Sequence, residues 1–441
     1  MIYGRDQRIH KDLGLFQNQL FCNKPLHFPG FWSSKMLSYR IAVSKTSVFE
    51  QPSFCRILSL CILLLFIFFS SCNNTRPSAT PAIEIENEEI AETIPRHTLA
   101  FLAAGDNLFH DTIIWRHKFD DGTYNFTSIY TEVKDIITSA DLAFVNQETV
   151  MAGEHFGYSG YPLFNTPQSL AGTLVEAGFD ILNLANNHAM DMGRFGLYAT
   201  LDFLETIDEL TVIGARKQGE NQTIITKNNI TLGFLAYTHS LNGIPLPADN
   251  PNLVSVINKD RMSEEINALR PLCDFLIVSM HWGDEYRLIS PGPDQIDLAL
   301  FLAEHNVDVI IGHHPHVLQR IEKLKRPDGK ETLCFYSLGN FVSNQNRKER
   351  ILGAFSVVTF VKEGESLFIT DSGLLPVICH IEPRFTGTKI YPLYGYTQEL
   401  MEKHILYSSD NFLDLYFFNT VVNRLDIKIF NKNPFSNTEV D

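Results

Sequence analysis

Three features are scarce in this sequence: cysteine pairs, long apolar runs, and basic residues in the main part of the chain. The 441 residues include seven cysteines, and no two of these have the Cys-x-x-Cys spacing of a zinc pair. Three of them, Cys273, Cys334 and Cys379, lie in or beside apolar segments of the main part. An odd number of cysteines in such positions excludes a disulfide framework and predicts buried free thiols.

The charge is unevenly distributed along the chain. Residues 1–71 contain eight Lys and Arg against three Asp and Glu, whereas the remaining residues contain 28 against 48. Because binding of nucleic acid needs a basic surface, this acidic excess argues against a nucleic-acid partner. The excess favours bound cations, although acidic residues also serve solubility.

The apolar run at residues 57–69 follows Arg40, Lys45 and Arg56. As a helix, it would rise only about 20 Å, which is short of the ~30 Å hydrocarbon core of a bilayer. The run therefore predicts an export signal within residues 1–71. Met36 is an alternative start, and in that case residues 1–35 would be an over-extended reading frame.

Cys72 directly follows two serines, and small residues before a cysteine are similar to the lipobox of bacterial lipoprotein precursors. The resemblance implies cleavage before Cys72 and a membrane-anchored lipoprotein of the cell envelope that faces outside the cytoplasm. Phe69 departs from the pattern, which prefers Leu. An uncleaved anchor and plain secretion are the alternatives, and both also place the main part outside the cytoplasm. Residues 72–96, acidic and poor in apolar side chains, are predicted to be a disordered tether behind the lipidated cysteine.

Short apolar runs alternate with helical patterns in the main part of the chain. Strands are predicted at residues 98–104, 142–145, 181–184, 212–214, 232–237, 275–280, 307–311 and 332–337, and helices at 128–138, 169–177, 194–207 and 294–305. This alternation predicts an α/β layered fold with a largely parallel sheet. Strand-like runs at 354–361, 366–370 and 374–381 predict a mainly β completion, and residues 396–441 form a C-terminal tail without an assigned role.

Polar side chains able to bind metal follow five of the predicted strands, at the point where each strand ends. They are Asp106, Asn146 with Glu148, Asn187 with His188, His281, and His313 with His314 and His316. Ligands of open α/β sheets bind in the crevice at the carboxyl ends of the strands, so we expect these groups to converge. Turns rich in Asn and Asp are common for backbone reasons alone, but one shared site explains five such ends more simply. His239 follows another predicted strand and is a further candidate.

The convergent groups have the chemistry of a metal site. Carboxylate, amide and imidazole ligands together suit divalent ions such as Mn²⁺, Zn²⁺ or Fe. Two such ions ~3.5–4 Å apart clamp a phosphoryl or related centre and generate a nucleophile from water. A spare histidine would protonate the leaving group. The sequence therefore predicts one or two divalent ions in a hydrolytic site.

Six motifs occur in order between about residues 99 and 342. They are Gly105-Asp106, Asn146-x-Glu148, Ala185-Asn-Asn-His-x-x-Asp191-x-Gly193, His281-Trp-Gly-x-Glu285-Tyr, Gly312-His-His-Pro-His316-Val and Tyr336-Ser-Leu-Gly-Asn340-Phe. Together they resemble the CapA-type proteins of poly-γ-glutamate capsule synthesis. The resemblance implies a domain over residues 97–395 with an α/β four-layer sandwich of the calcineurin-like metallophosphatase type. In this fold, mixed β-sheets flanked by helices replace the largely parallel sheet.

The resemblance also implies roles for individual residues. The metal ligands would be Asp106, Glu148, Asn187, His281, His314 and His316; the catalytic residues would be His188, Glu285 and Asp191; and Asn146, His313 and Asn340 would contact the substrate. Metallophosphatases usually begin with an Asp-x-His motif, whereas Asp106 is followed by Asn107 and Leu108. One ligand of a two-metal site is therefore in question.

Two functions from different classes fit these features. In the first, the protein is a metal-dependent hydrolase that acts on a phosphoester or a γ-glutamyl bond in the envelope. In the second, it is a non-catalytic, lipid-anchored accessory protein that binds polymer for the polyglutamate synthesis or export machinery. The complete set of acidic and metal-binding groups favours the first. Against it, the acidic main part would repel a polyanionic product unless bound cations bridge the two.

Overall fold

The computed structural model describes residues 94–407, 413–425 and 427–436. The predicted export segment, Cys72 and nearly all of the tether at 72–96 lie outside the described residues. Within the described ranges, no helix combines the length and the apolar character needed to cross a membrane. Cys334 and Cys379 are buried free thiols and Cys273 is a half-buried one, which agrees with the prediction from their positions.

Fourteen strands of the described residues form two β-sheets. They are β1 (Arg96–Asn107), β2 (Leu142–Gln147), β3 (Ile181–Asn183), β4 (Thr211–Ile213), β5 (Thr223–Lys227), β6 (Ile230–Thr238), β7 (Phe275–His281), β8 (Val309–His313), β9 (Ile321–Lys325), β10 (Glu331–Phe335), β11 (Asn340–Val342), β12 (Leu352–Glu363), β13 (Ser366–Ile381) and β14 (Thr388–Pro392). The first sheet has the order β14-β13-β12-β1-β2-β3-β4, with β11 paired to β1, and the second has the order β5-β6-β7-β8-β10-β9.

Helices α1 to α7 cover the outer faces of the two sheets. The helices are α1 (Asp111–Arg116), α2 (Thr127–Tyr130), α3 (Lys134–Thr138), α4 (Ser169–Ala177), α5 (Gly193–Leu204), α6 (Lys259–Leu269), α7 (Pro293–Glu304), α8 (Gln398–Glu402) and α9 (Leu415–Asn423). Leu102 and Ala104 of β1 pack on the side of α1 to α5, whereas Phe101 and Ala103, one residue out of step, pack between the sheets. Helices α6 and α7 cover the far face of the second sheet. The expected four-layer sandwich is confirmed.

Strands run parallel in only one part of each sheet. The parallel sets are β1 to β4 in the first sheet, where β11 also pairs parallel with β1, and β6, β7, β8 and β10 in the second. Strands β12 to β14, β5 and β9 pair antiparallel. The mixed sheets thus replace the largely parallel sheet suggested by the strand–helix alternation. Strand β9 was not predicted because, as an edge strand with charged and partly exposed side chains, it has no apolar run.

The described part of the segment at 396–441 packs onto the same domain. Met401 of α8 and Phe418 and Val421 of α9 are buried in the core between the two sheets. The sequence analysis left residues 396–441 without an assigned role, and the apolar face of α9 contributes to this core. The Asn-rich composition of the tail hides this helical apolar face in the sequence.

Residues 336–339 cross from β10 in the second sheet to β11 in the first. A Cβ atom on Gly105 of β1 would lie 2.0 Å from the carbonyl oxygen of Gly339, and one on Gly312 of β8 would lie 2.0 Å from that of Tyr336. Only glycine permits backbones to approach this closely. The crossing segment 336–339 therefore rests directly on the last residues of β1 and β8.

Candidate metal centre

The carboxyl ends of the parallel strands in both sheets meet at one crevice. In the first sheet, Asp106 of β1 is in register with Asn146 of β2, and in the second sheet His281 of β7 is in register with His313 of β8. All four side chains are buried, as is that of Glu148 just beyond β2. The strand ends therefore bring together the groups that the sequence analysis selected.

Glu148 is the centre of the cluster. Two groups of three possible ligands share it, Glu148–His314–His316 and Asp106–Glu148–His281, and in each group the ligand atoms lie within 4.8 Å of one another. Oε1 of Glu148 is 3.4 Å from Nε2 of His281 and 3.7 Å from Nε2 of His316. Both carboxylate oxygens are buried and, among the described residues, neither accepts a hydrogen bond. A buried carboxylate without donors is costly unless it binds a cation, so these residues fit a divalent ion.

Asp106 is held from several sides. The side-chain amide of Asn146 donates to its Oδ1 (2.9 Å), and the backbone N–H of His314 donates to its Oδ2 (3.2 Å). Nδ1 of His316 lies 3.1 Å from Oδ2. Burial raises the pKa of Asp106, but His313 and His316 beside it outweigh burial and hold the pKa well below its usual range. Asp106 is therefore an ionised carboxylate in a fixed orientation.

Glu148, His281 and His314 have pKa values shifted towards their neutral forms. Burial, followed by the charge of Asp106, raises the pKa of Glu148 well above its usual range. Burial, followed by the charges of neighbouring imidazoles, lowers the pKa of both His281 and His314. Neutral rings keep a lone pair available for a metal, and the charge of a bound cation would itself favour ionised Glu148.

Two asparagines hold rings of the cluster. Oδ1 of Asn187 lies 2.8 Å from Nε2 of His281, and Oδ1 of Asn340 lies 3.0 Å from Nδ1 of His316. Asn187 was predicted as a metal ligand and Asn340 as a substrate contact. The structure places both within hydrogen-bond distance of an imidazole nitrogen, where they fix the orientation of the ring.

His188 and Asp191 form a pair at the edge of the crevice. Nδ1 of His188 lies 2.8 Å from Oδ2 of Asp191, which also accepts the backbone N–H of Phe164 (2.7 Å). The ring of Phe164 packs edge-on against that of His188, with 4.7 Å between the centroids. Glu285, the third predicted catalytic residue, is exposed, and its charge raises the pKa of Glu148.

The structure adds one residue to the predicted set, places the candidate His239 beside the cluster, and shows what occupies the histidine position of an Asp-x-His motif. Asn183 of β3 donates to Oδ1 of Asn146 (2.9 Å), and its signal in the sequence was a single amide at the end of an apolar strand. His239 joins the cluster, with its ring centroid 4.4 Å from that of His314. Leu108 has the place that histidine has in an Asp-x-His motif, and its side chain is buried, so this motif supplies no second ligand.

Backbone strain is concentrated in two loops beside the cluster. His314 and His316 have φ angles of 95° and 58°, and Tyr286 and Ile289 in the adjoining loop have 66° and 68°. The N–H of Tyr286 donates to the carbonyl oxygen of Pro315 (2.7 Å), so each loop supports the other. Side chains other than glycine rarely adopt positive φ, and such strain is typical of functional sites.

Comparison with curated proteins identifies relatives with stated roles. Over 178 residues, the chain is 35% identical to the capsule biosynthesis protein CapA of Bacillus anthracis, covering 38% of this chain and 41% of the relative. Over 181 residues, it is 34% identical to the PGA biosynthesis protein CapA of Bacillus subtilis (strain 168), covering 39% and 44%. The matched part is thus less than half the length of each relative.

Two solved structures are similar to this chain. The 5′-nucleotidase precursor from Thermus thermophilus has 14% identity and a TM-score of 0.40, over 64% of this chain and 54% of that one. The calcineurin-like phosphoesterase YfkN from Bacillus subtilis has 15% identity and a TM-score of 0.38, over 64% and 91%. Residues 100–345, more than half of the chain and all six motifs, match the family model of the bacterial capsule synthesis protein PGA_cap. The chain therefore belongs to this CapA-type family.

Proposed function

We propose that this protein acts in the synthesis or export of poly-γ-glutamate at the cell envelope, as a divalent-metal hydrolase of a phosphoester or a γ-glutamyl bond. The observation that carries the proposal is Glu148, whose two buried oxygens have no donor among the described residues although imidazole nitrogens lie close by. The names of the two curated relatives, which refer to capsule and PGA biosynthesis, support the biological role.

The residues that would hold one or two divalent ions are Asp106, Glu148, His281, His314 and His316, with Asn187 beside His281. The mixture of carboxylates and imidazoles suits Mn²⁺, Zn²⁺ or Fe. When bound, such an ion supplies Lewis acidity towards a phosphoryl or carbonyl oxygen and lowers the pKa of water. The surrounding amides of Asn146 and Asn340 keep the ligands in place, so little reorganisation is needed.

His188 is the residue best placed to move a proton. Its Nδ1–H donates to Asp191, which fixes the tautomer and leaves Nε2 to exchange a proton with the leaving group. The N–H of Phe164 anchors the same carboxylate oxygen of Asp191, so the pair keeps its orientation.

Metal content of the purified protein, measured by mass spectrometry, tests the proposal. After incubation with Mn²⁺, Zn²⁺ or Fe²⁺, the wild type should retain about one or two equivalents, as the ligand set suggests. His281→Ala and His314→Ala should lose metal and any turnover of p-nitrophenyl phosphate or γ-glutamyl-p-nitroanilide. His305→Ala is the matched control, because this ring lies at the end of α7 and contacts Ser263 (2.9 Å).

A wild type that takes up no metal would contradict the hydrolase and leave the accessory function, binding of polymer without turnover.

We further propose that the protein is a lipoprotein anchored through Cys72, in contact with the polyglutamate machinery and without a nucleic-acid partner. Cys72→Ala should then move from the membrane fraction to the soluble fraction. Retention of this variant in the membrane would contradict a lipid anchor at Cys72.

A further inference from the structure

One arginine at the rim of the metal centre has an aromatic partner and, in the part of the chain that the structure describes, no acidic one. The Cζ atom of Arg350 lies 3.3 Å from the ring centroid of Tyr286, and this ring lies 6.1 Å from that of His316. Nε of Arg350 is buried and has no acceptor, and within the described ranges no carboxylate pairs with the guanidinium. A cation is thus held next to the ligands without being neutralised.

Backbone contacts fix this cation relative to the metal ligands. The side chain of Asn340 contacts His316 through Oδ1 and donates through Nδ2 to the carbonyl oxygen of Arg350 (2.9 Å). Tyr286 is fixed through its N–H, which donates to Pro315 between two of the histidines. Both partners of the cation–π contact are therefore tied to the loop that carries His314 and His316.

An unpaired arginine is unexpected in a chain with 51 acidic and 36 basic residues. Arg287, on the same rim, lies 3.6 Å from Asp284, and the half-buried Arg270 and the buried Arg326 both contact Asp308. Acidic partners are common in this protein, yet no carboxylate of the described residues pairs with Arg350. The unpaired guanidinium points to an anion that comes from outside the chain.

We propose that Arg350 binds an oxyanion of the substrate, a carboxylate or a phosphate group close to the bond that is cleaved. A guanidinium makes two parallel N–H···O bonds to either group, and the Tyr286 ring holds its plane in one orientation. The inference rests on the proposed function and specifies its substrate as anionic. It also explains how an acidic protein accepts a polyanion, because Arg350 holds at the rim a positive charge that no carboxylate of the described residues neutralises.

Titration calorimetry on the metal-loaded, full-length chain tests the anion site. The probes are inorganic phosphate and the dipeptide γ-glutamylglutamate, which separate a phosphate from a carboxylate source. Arg350→Gln should weaken binding of at least one probe by about tenfold or more. Arg350→Lys should bind that probe more tightly than Arg350→Gln but less tightly than the wild type, because lysine keeps the positive charge without the two parallel N–H donors of arginine. Arg287→Gln is the matched control, because it removes a positive charge from the same rim but from a residue that is already paired with Asp284. It should change the affinity for either probe by less than about twofold.

Equal losses in Arg350→Gln and Arg287→Gln would overturn the proposal, because the effect would then be general electrostatics. Loss of metal from Arg350→Gln would also overturn it, since Arg350 would then support the metal ligands. So would a wild type that binds neither probe saturably. If the proposed hydrolase function is wrong, the wild type takes up no metal, which is a different result from those above. In that case, phosphate binding that still depends on Arg350 would support the anion site without the hydrolase.

Discussion

A buried carboxylate lies near each end of β8, and the two differ in their hydrogen bonding. Asp308, just before β8, accepts from Arg270 and from the N–H of Leu276 (2.8 Å) on one oxygen, and contacts Arg326 with the other. Glu148, beside the carboxyl end of the same strand, accepts no hydrogen bond on either oxygen within the described ranges. One carboxylate is fully paired and the other is left open.

This difference separates a stabilising role from a binding role. A paired buried carboxylate is tolerated because its partners replace water, whereas an unpaired one costs stability until something else provides the positive charge. Burial and the charge of Asp106 also raise the pKa of Glu148. Its unpaired oxygens and its shifted pKa are both properties that the proposed cation site would have.

The largest effect on stability is expected from breaking the paired carboxylate. Asp308→Ala should lower the free energy of unfolding by about 3 kcal/mol, because the buried Arg326 then keeps only Asp328 as an acidic partner and the half-buried Arg270 loses its carboxylate. Metal content should not change. Denaturation in urea together with metal analysis measures both quantities. A loss of less than about 1 kcal/mol would show that this pairing contributes no more than a surface ion pair.

The open carboxylate should behave in the opposite way. Glu148→Gln should weaken metal binding by at least about 100-fold, which is about 2.7 kcal/mol, because even residues behind the ligands affect affinity by 10–100-fold. The metal-free variant should be no less stable than the metal-free wild type, since an amide replaces a carboxylate without donors. Thermal melting with EDTA and with Mn²⁺ separates the two effects. A destabilised metal-free variant would contradict the comparison.

A third buried cluster is made of neutral rings. His404 after α8 accepts the N–H of Leu406 at Nδ1 (3.0 Å), and its ring lies 5.2 Å from that of His380. Burial lowers the pKa of both histidines to about 4. Because the pKa of histidine in an unfolded chain is about 6.5, their contribution is complete above pH 6.5 and is lost as the pH falls towards 4, on the order of 2 kcal/mol per ring.

His404→Gln should therefore flatten the dependence of unfolding free energy on pH between 4 and 6.5, compared with the wild type. Urea denaturation of the metal-free proteins at several pH values measures this slope, and the difference between the two proteins cancels the histidines of the metal centre. Identical slopes would show that His404 is not held neutral by the fold.

The smallest effect is expected from a neutral network behind Asp106. Tyr130 donates to Oδ1 of Asn107 (3.0 Å), Asn107 donates to Gln147 (2.7 Å), and Gln147 donates to Thr149 (2.6 Å). Tyr130→Phe leaves one acceptor unsatisfied and should cost about 1–2 kcal/mol, with metal affinity unchanged. A change in metal affinity would mean that the network also positions Asp106.

The sequence predicted the members of the cluster because buried parallel strands have a simple pattern. Such strands are apolar on both faces, so the first polar side chain marks the end of the strand, as Asp106 and His313 do. The same pattern does not tell which of two sheets a strand joins. The prediction that Asp106 and His281 come from two different sheets therefore followed only from the family resemblance.

Other features gave no pattern to detect. Arg350 lies between two strands in a polar segment, and its position depends on contacts with residues far apart in the sequence, Tyr286 and Asn340. Helix α9 buries Phe418 although its surroundings are Asn-rich. Glu285 shares a motif with His281 but is exposed whereas His281 is buried, so motif spacing alone does not predict the burial of a side chain.

The backbone contacts of the crossing segment 336–339 make the geometry of the metal centre independent of side-chain packing in the core. Its carbonyl oxygens face the glycine backbones at 105 and 312, so no side chain packs at these two contacts and no packing substitution can act there as a spacer. Apolar residues between the sheets can then be exchanged while the distance between the ends of β1 and β8 stays the same. A single added methyl group, as in Gly105→Ala, would move the two halves of the centre apart at once.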